Sequence, residues 1–392
     1  MKIGIAGPIL VEALRDQLEP GSGGASPAIR GLGGATVNLL VRGLLARGHE
    51  VVVFSLDPEV TREVVLRGPR LTLCLGPYRR RARWRALDLF RQERRYLSET
   101  IRRERPEVVH AHWTYEFALG ALASGLPTLV TMRDWAPAVL RHYRDPYRLL
   151  RWVMDALTVR RSPYLTANSV YIQELIVSRW RRQVSVIPNP VEPGFFRQEE
   201  KLFPESDPVV VAVAEGFSRL KNQKSLMRAW PMIREEHPNC RLCWVGRDFE
   251  RQGVAWKWAW EEGLDGGMEF AGGVSREGLK ATLDRGALLV HPSLEESFGN
   301  AVVEAMARRL PVVGGGHSGA VPWILDHGDA GVLTDVTDPP TLARAVNALL
   351  SSREEWVRYS RKGYRRVQSH FSLSRVVEIS LAEYARMLAP GS

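Results

Sequence analysis

The sequence predicts an α/β protein of two domains, each built around a parallel β-sheet. Short apolar runs alternate with amphipathic stretches along the chain, which is the pattern of βαβ units. Prolines and a glycine at 188–207 interrupt that alternation, and it then starts again. The length of 392 residues suits two domains of ordinary size better than a single core.

The first half opens with a predicted strand at 2–6, and a helix follows Gly33 and Gly34. Apolar side chains in that helix recur three and four residues apart, which places them on one face: Val37, Leu40, Val41, Leu44 and Leu45. A continuous apolar run at 51–56 is typical of a buried parallel strand. Further strands are predicted at 108–112, 128–131 and 164–167.

The second half repeats the pattern, with strands predicted at 209–214, 241–245, 268–271, 287–291, 311–314 and 331–333. Apolar spacing predicts one last helix at 373–388. We therefore divide the chain into an N-terminal domain at 1–187, a linker at 188–207, a C-terminal domain at 208–372 and a final segment at 373–392. Parallel sheets of this kind bind ligands at the carboxyl ends of their strands.

The composition narrows the class of protein. No apolar run approaches the roughly 18 residues of a membrane-spanning helix, and the N-terminus lacks the pattern of a signal peptide. Three cysteines fit a reducing compartment, so we expect a cytoplasmic protein. Cys240 and Cys243 would point to opposite faces of a strand, which favours packing over metal binding. The net charge of +10 leaves anionic partners open.

The most informative stretch follows the strand that ends at His291. A polar turn leads into a helix that begins near Gly299, and the unpaired N–H groups of a helix start attract phosphate or sugar oxygens. Glu296 lies in the turn and Glu304 lies on the helix. Their spacing is a rotation of about 80°, so both carboxylates can face one cavity. The alternative is a capped surface helix with two solvated glutamates.

This stretch resembles the Glu-x7-Glu motif of glycosyltransferase family 4, a family of retaining enzymes. Further segments are similar to family segments and occur in the family's order: 106–113 (PEVVHAHW), 185–191 (SVIPNPV) and 317–331 (HSGAVPWILDHGDAG). The similarity extends over about 33–385, nearly the whole chain. It implies the GT-B fold, an α/β fold of two Rossmann-like domains with parallel sheets facing each other across a cleft.

The resemblance implies different roles for the two domains. The C-terminal domain would bind a nucleoside diphosphate sugar, with Glu304 on the ribose and Glu296 beside the sugar. Backbone groups at the helix start would hold the sugar and the phosphates, at Phe298, Gly299 and Asn300. The N-terminal domain would bind the acceptor, and the final segment at 373–392 would return to it.

A lysine and a pair of glycines complete the predicted donor site. A cation beside the departing diphosphate stabilises the transition state without a metal, and Lys221 matches the family's phosphate-binding lysine. Gly216 occupies the family's arginine position, so we interpret Arg219 as a displaced substitute. Gly33 and Gly34 lack Cβ atoms and would let the backbone approach the diphosphate closely. A plain turn is the alternative for this glycine pair.

His112 and Arg133 are the candidates on the acceptor side. His110 and His112 point to the same side of one strand, but without nearby carboxylates or cysteines they make a poor metal site. His112 would instead touch the acceptor or the donor sugar. Arg133 stands where many relatives carry a histidine, and it either favours an anionic acceptor or pairs with Asp134.

The segment 79–105 is dense in arginine and contains interleaved apolar side chains: Trp84, Leu87, Leu89 and Phe90. This pattern predicts either a basic amphipathic helix that lies on an anionic membrane, or a solvated helix in an arginine-rich protein. A peripheral membrane contact therefore stays open as an alternative.

We predict a retaining glycosyltransferase that transfers a hexose from a nucleoside diphosphate sugar to an acceptor hydroxyl. The acceptor is a small molecule, a glycan or a lipid-linked sugar. The donor is a co-substrate, and we expect no cofactor, no metal ion and no nucleic acid. Two alternatives remain: a sugar-nucleotide epimerase of the same fold, and a protein that binds polyanions or lipid surfaces.

Overall fold

A computed structural model describes residues 1–20, 29–142 and 145–389. The chain divides into two compact units, the first made of Met1–Pro190 and Leu373–Ser392 and the second of Val191–Ser372. Within the described ranges, no helix combines the length and the apolar content that a membrane crossing requires.

The first unit is organised around an eight-stranded sheet. Its strands, in chain order, are β1 (Lys2–Ala6), β2 (Glu50–Asp57), β3 (Val64–Arg67), β4 (Leu71–Pro77), β5 (Val108–His112), β6 (Thr128–Met132), β7 (Tyr164–Ala167) and β8 (Ser185–Val186). Their spatial order is β3-β4-β2-β1-β5-β6-β7-β8. All neighbouring strands are parallel except β3 and β4, which pair antiparallel.

Helices cover both faces of this sheet, and they are α1 (Ala35–Ala46), α2 (Ala82–Leu87), α3 (Arg91–Glu104), α4 (Glu116–Leu122), α5 (Ala136–His142), α6 (Pro146–Arg161), α7 (Val170–Trp180) and α15 (Leu373–Leu388). In β2, Val51 and Val53 pack into one apolar cluster, whereas Val52 and Phe54 pack into the cluster on the other face. Burial on both faces explains why such strands are continuous apolar runs in the sequence.

The second unit contains a six-stranded sheet in which all neighbouring strands are parallel. Its strands are β9 (Val209–Val213), β10 (Arg241–Val245), β11 (Met268–Gly272), β12 (Leu288–His291), β13 (Val312–Gly315) and β14 (Val332–Thr334). The helices around it are α8 (Gln223–Glu236), α9 (Val254–Glu261), α10 (Arg276–Arg285), α11 (Asn300–Ala307), α12 (Val321–Ile324), α13 (Pro339–Ser351) and α14 (Arg353–His370).

Both sheets reverse their strand order at one place. The second sheet has the order β11-β10-β9-β12-β13-β14, so the chain builds outward from β9 in one direction and then returns to build outward from β12 in the other. The first sheet does the same between β1 and β5. At such a reversal the loops after the two central strands diverge and leave a crevice, which is where open α/β sheets bind their ligands.

The structure differs from the sequence predictions at the edges of the first sheet. Strands β3 and β4 were not predicted, and β3 makes the sheet mixed because a tight connection through Gly68 returns the chain antiparallel. The short strand β8 was also not predicted. Most of the residues expected to form a linker at 188–207 belong to the second unit, in whose core Val191 and Phe195 are buried.

The arginine-rich segment 79–105 is not one amphipathic helix. Helices α2 and α3 are separated by Leu89 and Phe90, whose φ angles of 53° and 58° are incompatible with a continuous right-handed helix. Phe90 is buried, and the Arg79 guanidinium is held internally by Glu93 at 2.6 Å. Helix α2 nevertheless leaves Trp84 50% exposed and Leu87 77% exposed.

Helix α15 packs in the first unit against α1. A Cβ atom added to Gly43 of α1 would lie 2.4 Å from the Val377 side chain, so only glycine permits this close approach. The Tyr384 hydroxyl on α15 lies 2.7 Å from Nδ1 of His110 on β5. Nε2 of His110 lies 2.6 Å from the hydroxyl of Thr131, and all three side chains are buried. A series of buried hydrogen bonds therefore connects α15 to β5 and β6 in the middle of the sheet.

We expect Tyr384→Phe to destabilise the first unit by about 1–3 kcal/mol, because it leaves Nδ1 of His110 buried without its partner. Urea unfolding would measure the loss. The matched control is Tyr364→Phe, since the Tyr364 hydroxyl is buried but has no hydrogen-bond partner within the described ranges. Equal effects of the two substitutions on unfolding would contradict the assigned role of Tyr384.

Candidate active site

Lys221 and Glu296 form an ion pair at the strand-order reversal of the second sheet. Lys221 lies in the loop after β9, and Glu296 lies in the loop after β12, the neighbouring strand. The Lys221 Nζ donates to Oε1 of Glu296 at 2.6 Å. The structure thus brings together two residues that the sequence placed in the donor site, at the place where the fold provides a crevice.

Three donors converge on the same oxygen of Glu296. In addition to Lys221, the Ser293 hydroxyl donates to Oε1 at 2.7 Å, and Nε2 of His291 lies 3.1 Å from it. Burial alone would raise the pKa of Glu296, but the hydrogen bond and charge of His291 and the charge of Lys221 outweigh it and hold the pKa well below its usual value. Glu296 is therefore a fixed carboxylate, and these bonds leave Oε2 for other donors.

The loop at 318–320, which contains a glycine, packs against the backbone of the Glu296 turn. The backbone N–H of Ala320 donates to the Glu296 carbonyl at 2.9 Å, and the Ser318 hydroxyl donates to the Ser293 carbonyl at 2.5 Å. Gly319 has a φ of 60°, and an added Cβ would lie 2.3 Å from the Glu296 carbonyl oxygen. Gly319 was not recognised as a site residue, because its contact with Glu296 joins separate segments of the chain. Ser293 and His291 lie in the same segment as Glu296, but their hydrogen bonds to its carboxylate depend on the conformation of the turn, which the sequence does not give.

Helix α11 begins at Asn300, as predicted, and Gly299 is its N-cap with a φ of 102°. That left-handed conformation suits glycine. The Phe298 side chain is buried against Trp323 and Phe371, with ring centroids 6.2 Å and 5.6 Å away. The aromatic cluster anchors the loop, so that only backbone groups of Phe298 and Gly299 are presented at the helix start.

Glu304 lies on α11 but does not share a partner with Glu296. Its Oε1 accepts a hydrogen bond from Arg276 at 2.7 Å, and Arg276 also donates to Glu192 at 3.1 Å. Burial raises the pKa of Glu304, and the Arg276 charge opposes that shift. Arg276 further covers the Phe195 ring at 4.2 Å. Arg276 is thus a neighbour of the predicted ribose-binding carboxylate that the sequence did not reveal.

The predicted substitute Arg219 is exposed, and its side chain forms no ion pair within the described part of the chain. A second arginine lies nearer the family's arginine position. An added Cβ at Gly216 would be 3.8 Å from Nη2 of Arg247, which lies in the loop after β10. Arg247 was missed because it is distant in sequence from the Gly216 loop.

Gly33 and Gly34 precede α1 with φ angles of 92° and 99°, and Gly34 is the N-cap. An added Cβ at Gly34 would lie 2.1 Å from the Pro8 carbonyl oxygen, so packing against Pro8 already requires glycine there. Among the residues that the structure describes, none has an atom within 4 Å of an added Cβ at Gly33, so Gly33 borders space that these residues leave open.

The acceptor-side candidates His112 and Arg133 contact each other. Nη2 of Arg133 lies 3.0 Å from Nδ1 of His112, which ends β5. The predicted alternative of an Arg133–Asp134 pair is wrong, because Asp134 accepts a hydrogen bond from the Tyr115 hydroxyl at 3.0 Å instead. His110 and His112 lie on one side of β5, with ring centroids 4.1 Å apart.

Two negative expectations concern metals and cysteines. Among the residues that the structure describes, no group of three or more His, Cys, Asp and Glu side chains is arranged to hold a metal ion. Cys240 and Cys243 are both buried free thiols, and they pack in different apolar clusters.

Comparisons with known families account for most of the chain. Residues 33–195 match the family described as Glycosyltransferase Family 4, and residues 195–366 match the family described as Glycosyl transferases group 1. The chain belongs to glycosyltransferase family 4. It is a glycosyltransferase of the GT-B type, and the boundary between the two matches lies close to the division between its units at Pro190 and Val191.

Curated relatives within the family act on different substrates. A D-inositol 3-phosphate glycosyltransferase from Nocardioides sp. is 27% identical over 276 residues, which cover 63% of this chain and 60% of that relative. The chain therefore spans about three fifths of the length of this relative. An MMP alpha-(1->4)-mannosyltransferase from Mycolicibacterium hassiacum is 27% identical over 299 residues, 72% of this chain and 71% of the relative.

Solved structures support the fold over the whole chain. Sucrose-phosphate synthase from Thermosynechococcus elongatus superposes with a TM-score of 0.76 at 20% identity, covering 100% of both chains. Anabaena HepE, solved in complex with UDP and glucose, superposes with a TM-score of 0.67 at 16% identity and covers 98% of this chain and 100% of its own.

The two neighbouring histidines predict a pH-dependent stability. Burial lowers the pKa of His110 to about 3 and that of His112 well below the usual 6.5. Between these values and 6.5 the unfolded chain binds more protons than the folded chain. The free energy of unfolding therefore has its full contribution from these histidines above about pH 6.5. It decreases as the pH falls below 6.5, by up to about 1.4 kcal/mol per pH unit for each histidine.

Urea unfolding between about pH 7.5 and pH 5 would measure this slope. The comparison variant is His112→Gln, which removes one titrating group and should flatten the dependence. An unchanged slope in His112→Gln would show that His112 is not held neutral in the folded protein.

Proposed function

We propose that this glycosyltransferase transfers a hexose from a nucleoside diphosphate sugar to an acceptor hydroxyl with retention of anomeric configuration. The donor binds to the second unit and the acceptor to the first. The observation that carries the proposal is the Lys221–Glu296 pair at the strand-order reversal, next to the N-terminus of α11. Anabaena HepE, which shares the fold, was solved with UDP, in keeping with a nucleotide donor.

In the proposed donor site, cations and helix N–H groups meet the diphosphate. Lys221 binds a phosphate oxygen, and the first-turn N–H groups at Gly299 and Asn300 bind others. Arg219 and Arg247 are exposed cations in neighbouring loops that add positive charge. Glu296 keeps Lys221 in place through Oε1 and accepts from a sugar hydroxyl through Oε2.

On the nucleoside side, Glu304 accepts hydrogen bonds from the ribose hydroxyls. Its Oε1 already accepts from Arg276, which fixes the carboxylate and opposes the rise of its pKa on burial. In the first unit, Gly33 borders open space at the start of α1 and lets the backbone approach the diphosphate. Gly34 contributes by setting the turn.

The chemical step breaks the bond between the anomeric carbon and the diphosphate oxygen. The acceptor oxygen bonds to that carbon from the same face, and its proton passes to an oxygen of the departing diphosphate. The products are the glycosylated acceptor and the nucleoside diphosphate. His112 positions the acceptor or the sugar. It does not take the proton, because its pKa lies well below the usual 6.5 and its Nδ1 already accepts from Arg133. The leaving charge is stabilised by Lys221.

The proposed enzyme uses no cofactor and no metal ion, since the diphosphate has protein cations as partners. It acts in the cytoplasm, a reducing compartment that suits three buried free cysteines. Helix α2 makes peripheral contact with an anionic membrane, because the exposed Trp84 and Leu87 lie beside Arg81 and Arg83.

Lys221→Ala should reduce turnover by about 10²–10³-fold, the usual cost of removing one electrostatic stabiliser of a leaving group. Release of the nucleoside diphosphate from the donor would be the assay. The matched control is Lys224→Ala, because Lys224 stacks on Trp258 at 4.6 Å and takes no part in the proposed site. Similar losses in both variants would argue against a role for Lys221 in the reaction.

The stereochemistry is tested separately. Proton NMR of the product's anomeric signal, recorded on a reaction run in EDTA, should show an α-linked product from an α-linked donor. Retention is expected because the chain's family consists of retaining enzymes, and because the departing diphosphate, held by Lys221, can itself take the acceptor's proton. A β-linked product would refute the mechanism, and loss of activity in EDTA that Mg²⁺ restores would refute metal independence.

A further inference from the structure

Arg133 lies at the meeting point of three elements of the first unit. It directly follows β6, and its side chain reaches His112 at the end of β5 and Thr36 in the first turn of α1. Nη1 donates to the Thr36 hydroxyl at 3.1 Å and to Oδ1 of Asn189 at 2.5 Å. Nε and Nη2 lie 3.3 Å and 3.0 Å from Nδ1 of His112. We call these four residues the Arg133 cluster.

Every one of these partners is neutral. Within the part of the chain that the structure describes, no carboxylate forms an ion pair with Arg133, and the adjacent Asp134 is engaged with Tyr115. Burial lowers the pKa of Arg133 to about 10, so the side chain is still a cation at neutral pH. Arg133 is half-buried. A partly desolvated cation without a counter-charge is unfavourable, and an anionic ligand would compensate it.

The cluster also contains donors without acceptors. A guanidinium has five N–H groups, and the four contacts above use four of them, which leaves one on Nη2. Because arginine can only donate, Nδ1 of His112 must accept, and the ring proton must be on Nε2. His112 is 1% exposed, and Nε2 has no hydrogen-bond partner within the described ranges.

The location of the cluster is that of a ligand site. His112 ends β5, and Gly7 follows β1, so the two residues flank the strand-order reversal of the first sheet. An added Cβ at Gly7 would lie 3.5 Å from Cδ2 of His112, the carbon next to Nε2. Thr36 belongs to the first turn of α1, a helix of 12 residues whose N-terminus adds positive potential.

We propose that the Arg133 cluster binds an anionic group, a phosphate or a carboxylate, that the acceptor carries. Arg133 supplies the charge and the free Nη2–H, and His112 supplies the Nε2–H as a fixed neutral donor. This inference rests on the proposed function, because it takes the first unit to be the acceptor side. The acceptor is then an anionic sugar or polyol, and Arg133 is the residue that selects it over its uncharged analogue.

The charge and N–H groups of the Arg133 cluster would also suit the diphosphate of the donor. The experiment must therefore distinguish an anion on the acceptor from the diphosphate. Calorimetry on the full chain would measure binding of inorganic phosphate, glucose 6-phosphate and uncharged glucose. It would also measure binding of UDP, GDP and ADP. The sugar phosphate titrations would be repeated with the tightest-binding of these nucleotides at saturation, so that the donor site is filled.

Arg133→Gln should weaken binding of phosphate and glucose 6-phosphate by about 10- to 100-fold, as expected for the loss of a charge-assisted hydrogen bond. Nucleotide binding and glucose binding should not change. Arg133→Lys keeps the charge but loses the planar fork, and should be intermediate. If Arg133→Gln does not fold, the Arg133→Lys variant alone provides the comparison. The matched control is Arg62→Gln, an exposed arginine of the same unit, which should bind as the unaltered protein does.

Two outcomes would overturn the proposal while the proposed function stands. In the first, the unaltered chain binds a nucleotide but neither phosphate nor glucose 6-phosphate. In the second, Arg133→Gln weakens nucleotide binding and leaves sugar phosphate binding unchanged, which assigns the cluster to the donor's diphosphate. If no nucleotide binds but Arg133-dependent sugar phosphate binding is found, the proposed function fails and the anion site stands.

Discussion

The reversal of strand order in each sheet is the constraint on which the polar groups of this protein depend. Strand pairing fixes β9 beside β12, so the loops that follow them must start from adjacent positions and diverge. Lys221 and Glu296 meet there although 75 residues separate them in the sequence. The pairing of β1 with β5 does the same for Gly7 and His112. Backbone hydrogen bonding therefore determines which side chains can act together.

The two units differ in how they compensate the charged side chain at the strand-order reversal, which is Glu296 in the second unit and Arg133 in the first. Glu296 in the second unit is met by a cation, a hydroxyl and an imidazole, so its charge is compensated before any ligand arrives. Arg133 in the first unit is met by neutral oxygens and a neutral ring nitrogen. A compensated charge is prepared to orient a ligand, whereas an uncompensated one gains most when a ligand brings the missing charge.

The sequence predicted the parts of the fold that bury apolar surface on a regular period. Strand β5 and helix α15 have the predicted limits because their apolar residues define them. Strand β3 was not predicted because it lies at a sheet edge, where Val64 and Val65 are only half-buried and the apolar pattern is weak. The break between α2 and α3 depends on two backbone conformations, at Leu89 and Phe90, that periodicity does not detect.

The candidate site was predictable to the extent that its residues lie in one segment. The turn with Glu296 and the start of α11 at Asn300 could be predicted from their order along the chain. The partners Arg276 and Arg247 could not, because each reaches its neighbour only after two βα units have packed. The neutral surroundings of Arg133 could not be predicted for the same reason, since Thr36 and Asn189 are remote from it in sequence.

The return of α15 to the first unit has a consequence for biosynthesis. The ribosome makes β1 to β8 first and then the entire second unit, and only afterwards the helix that covers α1 and joins the His110 hydrogen bonds. Until that moment the side of α1 that α15 covers is exposed, and the apolar cluster that contains Leu40 and Leu44 lacks its α15 members. The nascent first unit must therefore stay incomplete while the second folds, which makes it the part of the chain that chaperones would have to shield.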